Sequence, residues 1–198
     1  MIITKSTKDV LNFINDYGFI TADICADIVY KNKSQAYNQA SRKLKSMWDN
    51  KLIKRYRAYD SKKYIYVKSL EKKVSLHDQI IMKFYSKVYS MVDSIDYFKK
   101  EERWLNGAYR TDAHIIYTKD NRIRCYLVEV DVTHGTSQRK YDDIFQSNCV
   151  QKWYKDKYET EVFPRLLIIS INGATKIKSN QYKVYSTNYD LLGLETLI

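Results

Sequence analysis

At 198 residues the chain has room for one large domain or two small ones, and two is the expected arrangement. Its 34 Lys and Arg against 23 Asp and Glu give a formal charge of +11, an excess that points to a polyanion such as nucleic acid or an anionic membrane surface. The three cysteines, Cys25, Cys125 and Cys149, are scattered and include no C-x-x-C pair, which argues against a disulfide framework or a zinc site and suits a reduced cytosol. The opening stretch MIITKSTKDV lacks the apolar core of a signal peptide, and no run approaches the length of a membrane span, so a soluble cytoplasmic protein without a membrane partner is expected.

The charge is local. Between Lys31 and Lys73 there are 14 basic residues and three acidic ones (Asp49, Asp60 and Glu71), a net +11 that equals the charge of the whole chain. The rest is electrically neutral, so the polyanion-binding surface is expected near the N-terminus.

In chain order, Val10, Leu11, Phe13 and Ile14 recur at helical spacing within Thr7 to Tyr17, with Gly18 as C-cap. Thr21 reads as the N-cap of a second helix carrying Ile24, Ile28 and Val29, and Ser34 as the cap of a third, Gln35 to Asp49. The third helix turns Ala36, Ala40, Leu44 and Met47 or Trp48 inward. Two strand-like segments follow, Leu52 to Arg57 and Tyr64 to Lys68. Three helices and a basic hairpin predict a winged helix-turn-helix over residues 1–73, a module that sets its third helix in the major groove and lets the wing touch the backbone. Asn38, Gln39 and Arg42, with Lys43 beside them, are the candidate groove residues, since Asn and Gln match adenine and Arg matches guanine. Lys54, Arg55, Arg57, Lys62 and Lys63 are the candidate phosphate contacts. The alternative reading is a solvated basic face that meets another protein.

Ser75 and Asp78 form a capping-box pattern, and Ile80, Ile81, Phe84, Val88, Met91, Val92 and Ile95 carry helical periodicity on to Tyr97. Strands are then expected over Arg110 to Tyr117 and Ile123 to Val132, joined by a turn at Lys119-Asp120-Asn121. A helix from Ser137 to Tyr158, a buried strand from Phe163 to Ile171 and a short strand from Lys183 to Ser186 complete an α/β layer domain over residues 74–198.

Within that domain, alternation puts Leu127, Glu129 and Asp131 on one face of a strand, and hairpin pairing brings Asp112 near position 128. Carboxylates converging from adjacent strands suit a hard cation such as Mg²⁺ or Mn²⁺, which can activate water beside a phosphodiester. The ordinary alternative is a solvated strand face, with Asp112 bonded to the Asn106-Gly107 turn.

The segments TADICADIVY through KLKSMWDNKLIKRYR, SLHDQIIMKFYSKV, RTDAHIIY and CYLVEVDVTHG resemble the replication-relaxation family of plasmids, phages and conjugative elements, which is similar in turn to mobilisation relaxases with a restriction-endonuclease-like core. The resemblance covers about residues 5–170. It implies an α+β or α/β fold in which the winged helix-turn-helix precedes a PD-(D/E)xK nuclease-like core that nicks DNA at an origin in a metal-dependent reaction. Duplex DNA is then the partner, with a homodimer and replication or mobilisation proteins as further candidates. On this resemblance Thr111-Asp112 stands for the motif's Pro-Asp and Glu129-Val130-Asp131 for its (D/E)-x-K, so Asp112, Glu129 and Asp131 become the candidate metal ligands. Two departures follow: Thr111 replaces proline, and Asp131 replaces lysine. Asp131 is then either a third ligand or the mark of an inactive core, the second case being a sequence-specific DNA-binding regulator or replication accessory. Lys140 or Arg139 on the next helix are candidates for the missing positive charge, and the alternative for each is surface charge. His77 matches the family's helix-opening histidine, as part of the site or as a cap. His77, His114 and His134 are too scattered for a histidine metal centre, and 19 tyrosines single out no nucleophile.

Overall fold

In the computed structural model, which describes residues 3–58 and 63–198, the chain is a mixed α+β protein with two sheets. It divides into two compact units, Met1–Ser90 and Met91–Ile198.

The first unit opens with α1 (Lys5–Tyr17), where Thr4 and Thr7 close a capping box and Gly18, at φ 89°, supplies the left-handed C-cap that a side chain would resist. Val10, Phe13 and Ile14 bury its apolar stripe. A two-residue strand β1 (Phe19–Ile20) leads into α2 (Ala22–Val29), where the Thr21 hydroxyl accepts from Ile24 N at 3.3 Å. Helix α3 (Ala36–Asp49) starts differently from the sequence expectation. Its N-cap is Gln35 in a left-handed conformation, and Ser34 contributes its carbonyl, which accepts from Gln39 Nε2 at 2.8 Å. Ala40, Leu44 and Met47 face inward, while Trp48 stays 37% exposed, which settles the choice between the last two.

Strands β2 (Lys54–Arg57) and β3 (Tyr64–Val67) pair antiparallel from Lys54↔Val67 to Arg57↔Tyr64. β1 adds to the other edge of β3, giving the order β1-β3-β2. Two residues of strand left too little alternation for the sequence to announce β1. Helix α4 (Leu76–Met91) completes this unit: Ser86 Oγ donates to Asp27 at 3.0 Å, Lys31 Nζ to the Tyr89 carbonyl at 2.9 Å, and Tyr85 packs on Tyr17. The Ser75–Asp78 capping box is present.

The expected continuation of that helix to Tyr97 does not occur. Ser94–Trp104 is strand β4, whose pairing with β5 (Tyr109–Lys119) satisfies the backbone groups along one edge and outweighs the helical spacing of Val92 and Ile95. A 3₁₀ turn at Leu105–Gly107 joins the two strands. β6 (Arg122–Asp131) follows through Asp120 and Asn121, both left-handed, as a tight two-residue hairpin. The expected single helix after β6 is two, α5 (Gln138–Gln146) and α6 (Cys149–Tyr158), broken where Asn148 turns left-handed at φ 54°. β7 (Arg165–Ser170), β8 (Val184–Asn188) and the short α7 (Leu194–Leu197) end the chain.

The five-stranded sheet has the order β4-β5-β6-β7-β8, antiparallel through β6 and parallel from β6 to β8. Against one face lie α5 and α6, burying Leu127, Ile116, Leu166 and Ile168 with Tyr141, Ile144, Val150 and Tyr154. Parallel strands begun at one end must finish at the other, and both ends of this sheet carry polar residues of interest. No helix among the described residues is long and apolar enough to cross a membrane.

Candidate functional site

Asp112 and Glu129 meet at one end of the second sheet. The β5/β6 register runs to Ala113↔Val128, so the next step outward sets Asp112 opposite Glu129, and Val130 N donates to Asp112 Oδ2 at 2.8 Å. That bond ties Asp112 across the ladder to β6. Glu129 is buried, and its Oε1 accepts from Lys140 Nζ at 2.6 Å and from the buried Tyr141 hydroxyl at 2.5 Å. Lys140 Nζ also donates to the Arg110 carbonyl. Ser137 caps α5 through Lys140 N, which fixes where the first turn delivers this lysine.

Burial pushes the Glu129 carboxyl up and the Asp112 charge adds to it, so that Lys140 and Tyr141 leave it at about 7 against an ordinary value of 4.5. A carboxylate held by a like charge on one side and a cation on the other is poised to take or release a proton near neutrality.

Asp131 points to other work. Its Oδ1 accepts from Thr136 Oγ1 at 2.6 Å and its carbonyl from the Tyr189 hydroxyl at 2.5 Å, which pins the loop before α5. The expected trio of carboxylates does not assemble: among the described residues no group of three His, Cys, Asp or Glu is placed to hold a metal ion. Arg139 is exposed and reaches Asp143 at 3.7 Å. His134 is exposed in the same loop, and His77 belongs to the first unit, half-buried on the first turn of α4.

A second polar centre, which sequence reasoning missed, lies inside the same sheet. His114 is fully buried, with Nε2 2.7 Å from the Tyr154 hydroxyl and Nδ1 3.6 Å from Glu102 Oε2, just beyond hydrogen-bond distance. Glu102 also accepts from Tyr97 at 2.6 Å and from Lys99 at 2.7 Å. Burial raises its carboxyl, but His114, Lys99 and Tyr97 outweigh burial and hold it at about 2. Burial in turn lowers the His114 pKa against the pull of Glu102, which favours the neutral ring. Glu102 falls in a segment for which the sequence carries no strand expectation, so nothing there points to it.

In the first unit, Asn38, Gln39 and Arg42 are exposed on α3, with the Gln39 amide committed to Ser34. Lys43 is not on that surface. Its Nζ donates to Thr7 Oγ1 at 2.6 Å and Thr4 Oγ1 at 3.0 Å, tying α3 to the start of α1. Lys54 and Arg57 are exposed on β2, and Arg55, half-buried between them, shares the face of Arg57. The Arg55 guanidinium stacks 3.6 Å over the Trp48 ring and 4.0 Å over Tyr64. Lys63 pairs with Asp23 at 2.8 Å, and Lys62 lies outside the described residues.

Comparison with protein-family models, with characterised proteins and with solved structures finds no match to this chain.

Proposed function

We propose that the chain is a DNA-binding protein of replication-relaxation type that nicks duplex DNA at a plasmid or mobile-element origin. The observation that carries the reading is the Asp112–Glu129–Lys140 cluster: two facing carboxylates and a lysine on one sheet end, in a protein whose other unit concentrates its charge. The first unit, three helices with a three-stranded β1-β3-β2 sheet, supports a winged helix-turn-helix reading, with α3 and β2 as the DNA-facing elements. Sixteen Lys and Arg stand against fifteen Asp and Glu in the second unit, so non-specific affinity is assigned to the first.

The second unit's order of helices and strands supports a restriction-endonuclease-like core. Mg²⁺ or Mn²⁺ is the cofactor proposed, because two hard oxygen donors that repel one another suit a cation that keeps most of its water and takes one or two carboxylates. Asp112 and Glu129 would hold it; bound there, it would supply an activated water and neutralise charge on the phosphodiester. The chain's own groups do the rest. Lys140 commits two of its three N–H donors to Glu129 and Arg110 and keeps one for a phosphate oxygen, the role of the lysine that Asp131 replaces in the motif. Tyr141 holds Glu129 in its rotamer.

The second reading is a sequence-specific DNA-binding regulator or replication accessory whose nuclease-like unit only supports assembly. Asp131, engaged with Thr136 instead of joining the other carboxylates, favours it. Supercoiled plasmid carrying the cognate origin, incubated with the protein and Mg²⁺ or Mn²⁺, separates the two: nicked circles support the first, and retention of the DNA without cleavage supports the second.

A further inference from the structure

A cavity of about 830 Å³ in the second unit lies away from the carboxylate cluster, where β6, β7 and β8 begin. Arg124, Arg165, Lys178 and Lys183 line it with Phe163 and Tyr185, and no Asp or Glu does. None of these four cations takes part in an ion pair among the described residues. In a unit that is otherwise charge-balanced, four like charges gathered around one cleft repel each other unless an anion enters.

The cleft is built rather than incidental. Arg165 Nη1 donates to the Tyr126 hydroxyl at 3.1 Å, and its guanidinium lies 5.8 Å from the rings of both Tyr126 and Tyr185. Tyr126 in turn donates to the Leu197 carbonyl. The guanidinium is therefore oriented by neutral groups, and its remaining N–H donors are suited to a phosphate fork. The loop bearing Lys178 is anchored as well, since Lys178 N donates to Gln138 Oε1 at 3.0 Å and Tyr182 N to Ser179 Oγ at 3.3 Å.

We infer that this cleft binds a single strand of nucleic acid, its phosphates on Arg165, Arg124, Lys178 and Lys183 and a base against the Tyr185 or Phe163 ring. Cations that track a backbone beside aromatic rings are the chemistry of sequence-tolerant single-strand binding. The inference rests on the reading of the chain as a DNA-acting protein, and it adds a site that neither the basic first unit nor the carboxylates supply. Along β6 the cleft and Glu129 are separated by about five residues, roughly 17 Å of strand, so a strand in the cleft need not touch the carboxylates.

The test uses the full chain and a fluorescent twelve-residue oligothymidylate, read by anisotropy, with Lys54, Arg55 and Arg57 neutralised to suppress the first unit's contribution. In that background Arg124→Ser/Lys178→Ser/Lys183→Ser is expected to weaken oligothymidylate binding at least about fivefold and to lower the salt slope by about two, at roughly 0.7 per phosphate contact. Arg165→Lys, which keeps the charge and loses the fork, is expected to weaken it as well. Duplex binding by the triple serine variant with an intact first unit is expected to stay within about twofold of wild type, and that arm separately tests the first unit's role. Single-strand affinity unchanged in both cleft variants, each shown to be folded by its circular dichroism, overturns the inference. So does competition by ATP or inorganic phosphate as effective as that of the oligonucleotide, which would make the cleft a site for free phosphates instead of a strand.

Discussion

Lys140 Nζ stands 2.6 Å from Glu129 Oε1, joining the first turn of α5 to β6 and bringing a cation to the sheet end that holds Asp112 and Glu129. The lysine is only 16% exposed and its partner 9%, so the contact is screened far less than a surface pair. In the proposed nuclease reading this helix lysine would serve where the motif has a strand lysine, while Asp131 holds the loop through Thr136.

Removing that cation leaves a buried carboxylate facing another. Lys140→Met is expected to abolish nicking while duplex binding stays unchanged, and to cost about 1–3 kcal/mol of stability at pH 8, where Glu129 is ionised. Lys140→Arg is expected to recover most of the stability. Urea unfolding and filter binding on the same preparations check both; a Lys140→Met variant that still nicks at the wild-type rate refutes the role given to this lysine.

The raised Glu129 carboxyl has a thermodynamic consequence. The folded state binds this proton more tightly than the unfolded chain, so the group's contribution to stability is fully present below about 4.5 and is lost as pH rises through about 7. Glu129→Gln has no such proton, and between pH 5 and 8 the wild type is expected to lose stability relative to the variant. Parallel stability curves from urea titrations across that range would show that Glu129 does not titrate as described.

Glu102 has the opposite sign. Its folded carboxyl is held near 2, so its contribution is present above the ordinary carboxylate range and disappears as pH falls toward 2. Glu102→Gln keeps the shape and removes the charge that faces His114, Lys99 and Tyr97. Thermal unfolding at pH 7 should show a loss of about 1–3 kcal/mol that shrinks on acidification. A variant as stable as wild type at pH 7 contradicts this network.

On the first unit, replacing Lys54 and Arg57 by Ser is expected to weaken duplex binding to all sequences alike and to lower the salt slope by about two, at roughly 0.9 per phosphate. The fold should be untouched, because both side chains are exposed. Lys43→Met is expected to do the reverse, lowering stability by about 1 kcal/mol through the lost bonds to Thr4 and Thr7 with little change in affinity. Fluorescence anisotropy at several salt concentrations separates these cases, and equal affinity losses at Lys43 and Lys54 would contradict the assignment.

Much of this architecture was legible in the sequence because it rests on local chemistry. Thr21, Gly18 and the Asp120-Asn121 pair announce their caps and turn whatever surrounds them. Alternation along β6 put Glu129 on the face that α5 covers, and the hairpin count brought Asp112 to it. What failed was set by distant partners. Ile95 and Tyr97 continue a helical spacing but are claimed by pairing with Tyr117 and Ile116, and Asn148 ends α5 through a backbone conformation its neighbours do not dictate. Lys43 looked like a groove residue because its charge is visible in sequence and the Thr4 and Thr7 hydroxyls that take it are not. The cationic cleft is hidden in the sequence for the same reason, its residues coming from three separate segments around Arg124, Arg165 and Lys178 to Lys183.

The most direct measurement is nicking of supercoiled plasmid bearing the cognate origin by wild type and Glu129→Gln, with Mg²⁺, with Mn²⁺ and with EDTA, from preparations matched for duplex binding. The account expects open circles from the wild type only with a divalent metal, and a loss of at least about a hundredfold in rate for Glu129→Gln at unchanged affinity. Equal nicking by the two proteins would contradict the carboxylate chemistry, and wild type that binds the origin without cutting it under any metal would contradict the nuclease reading itself.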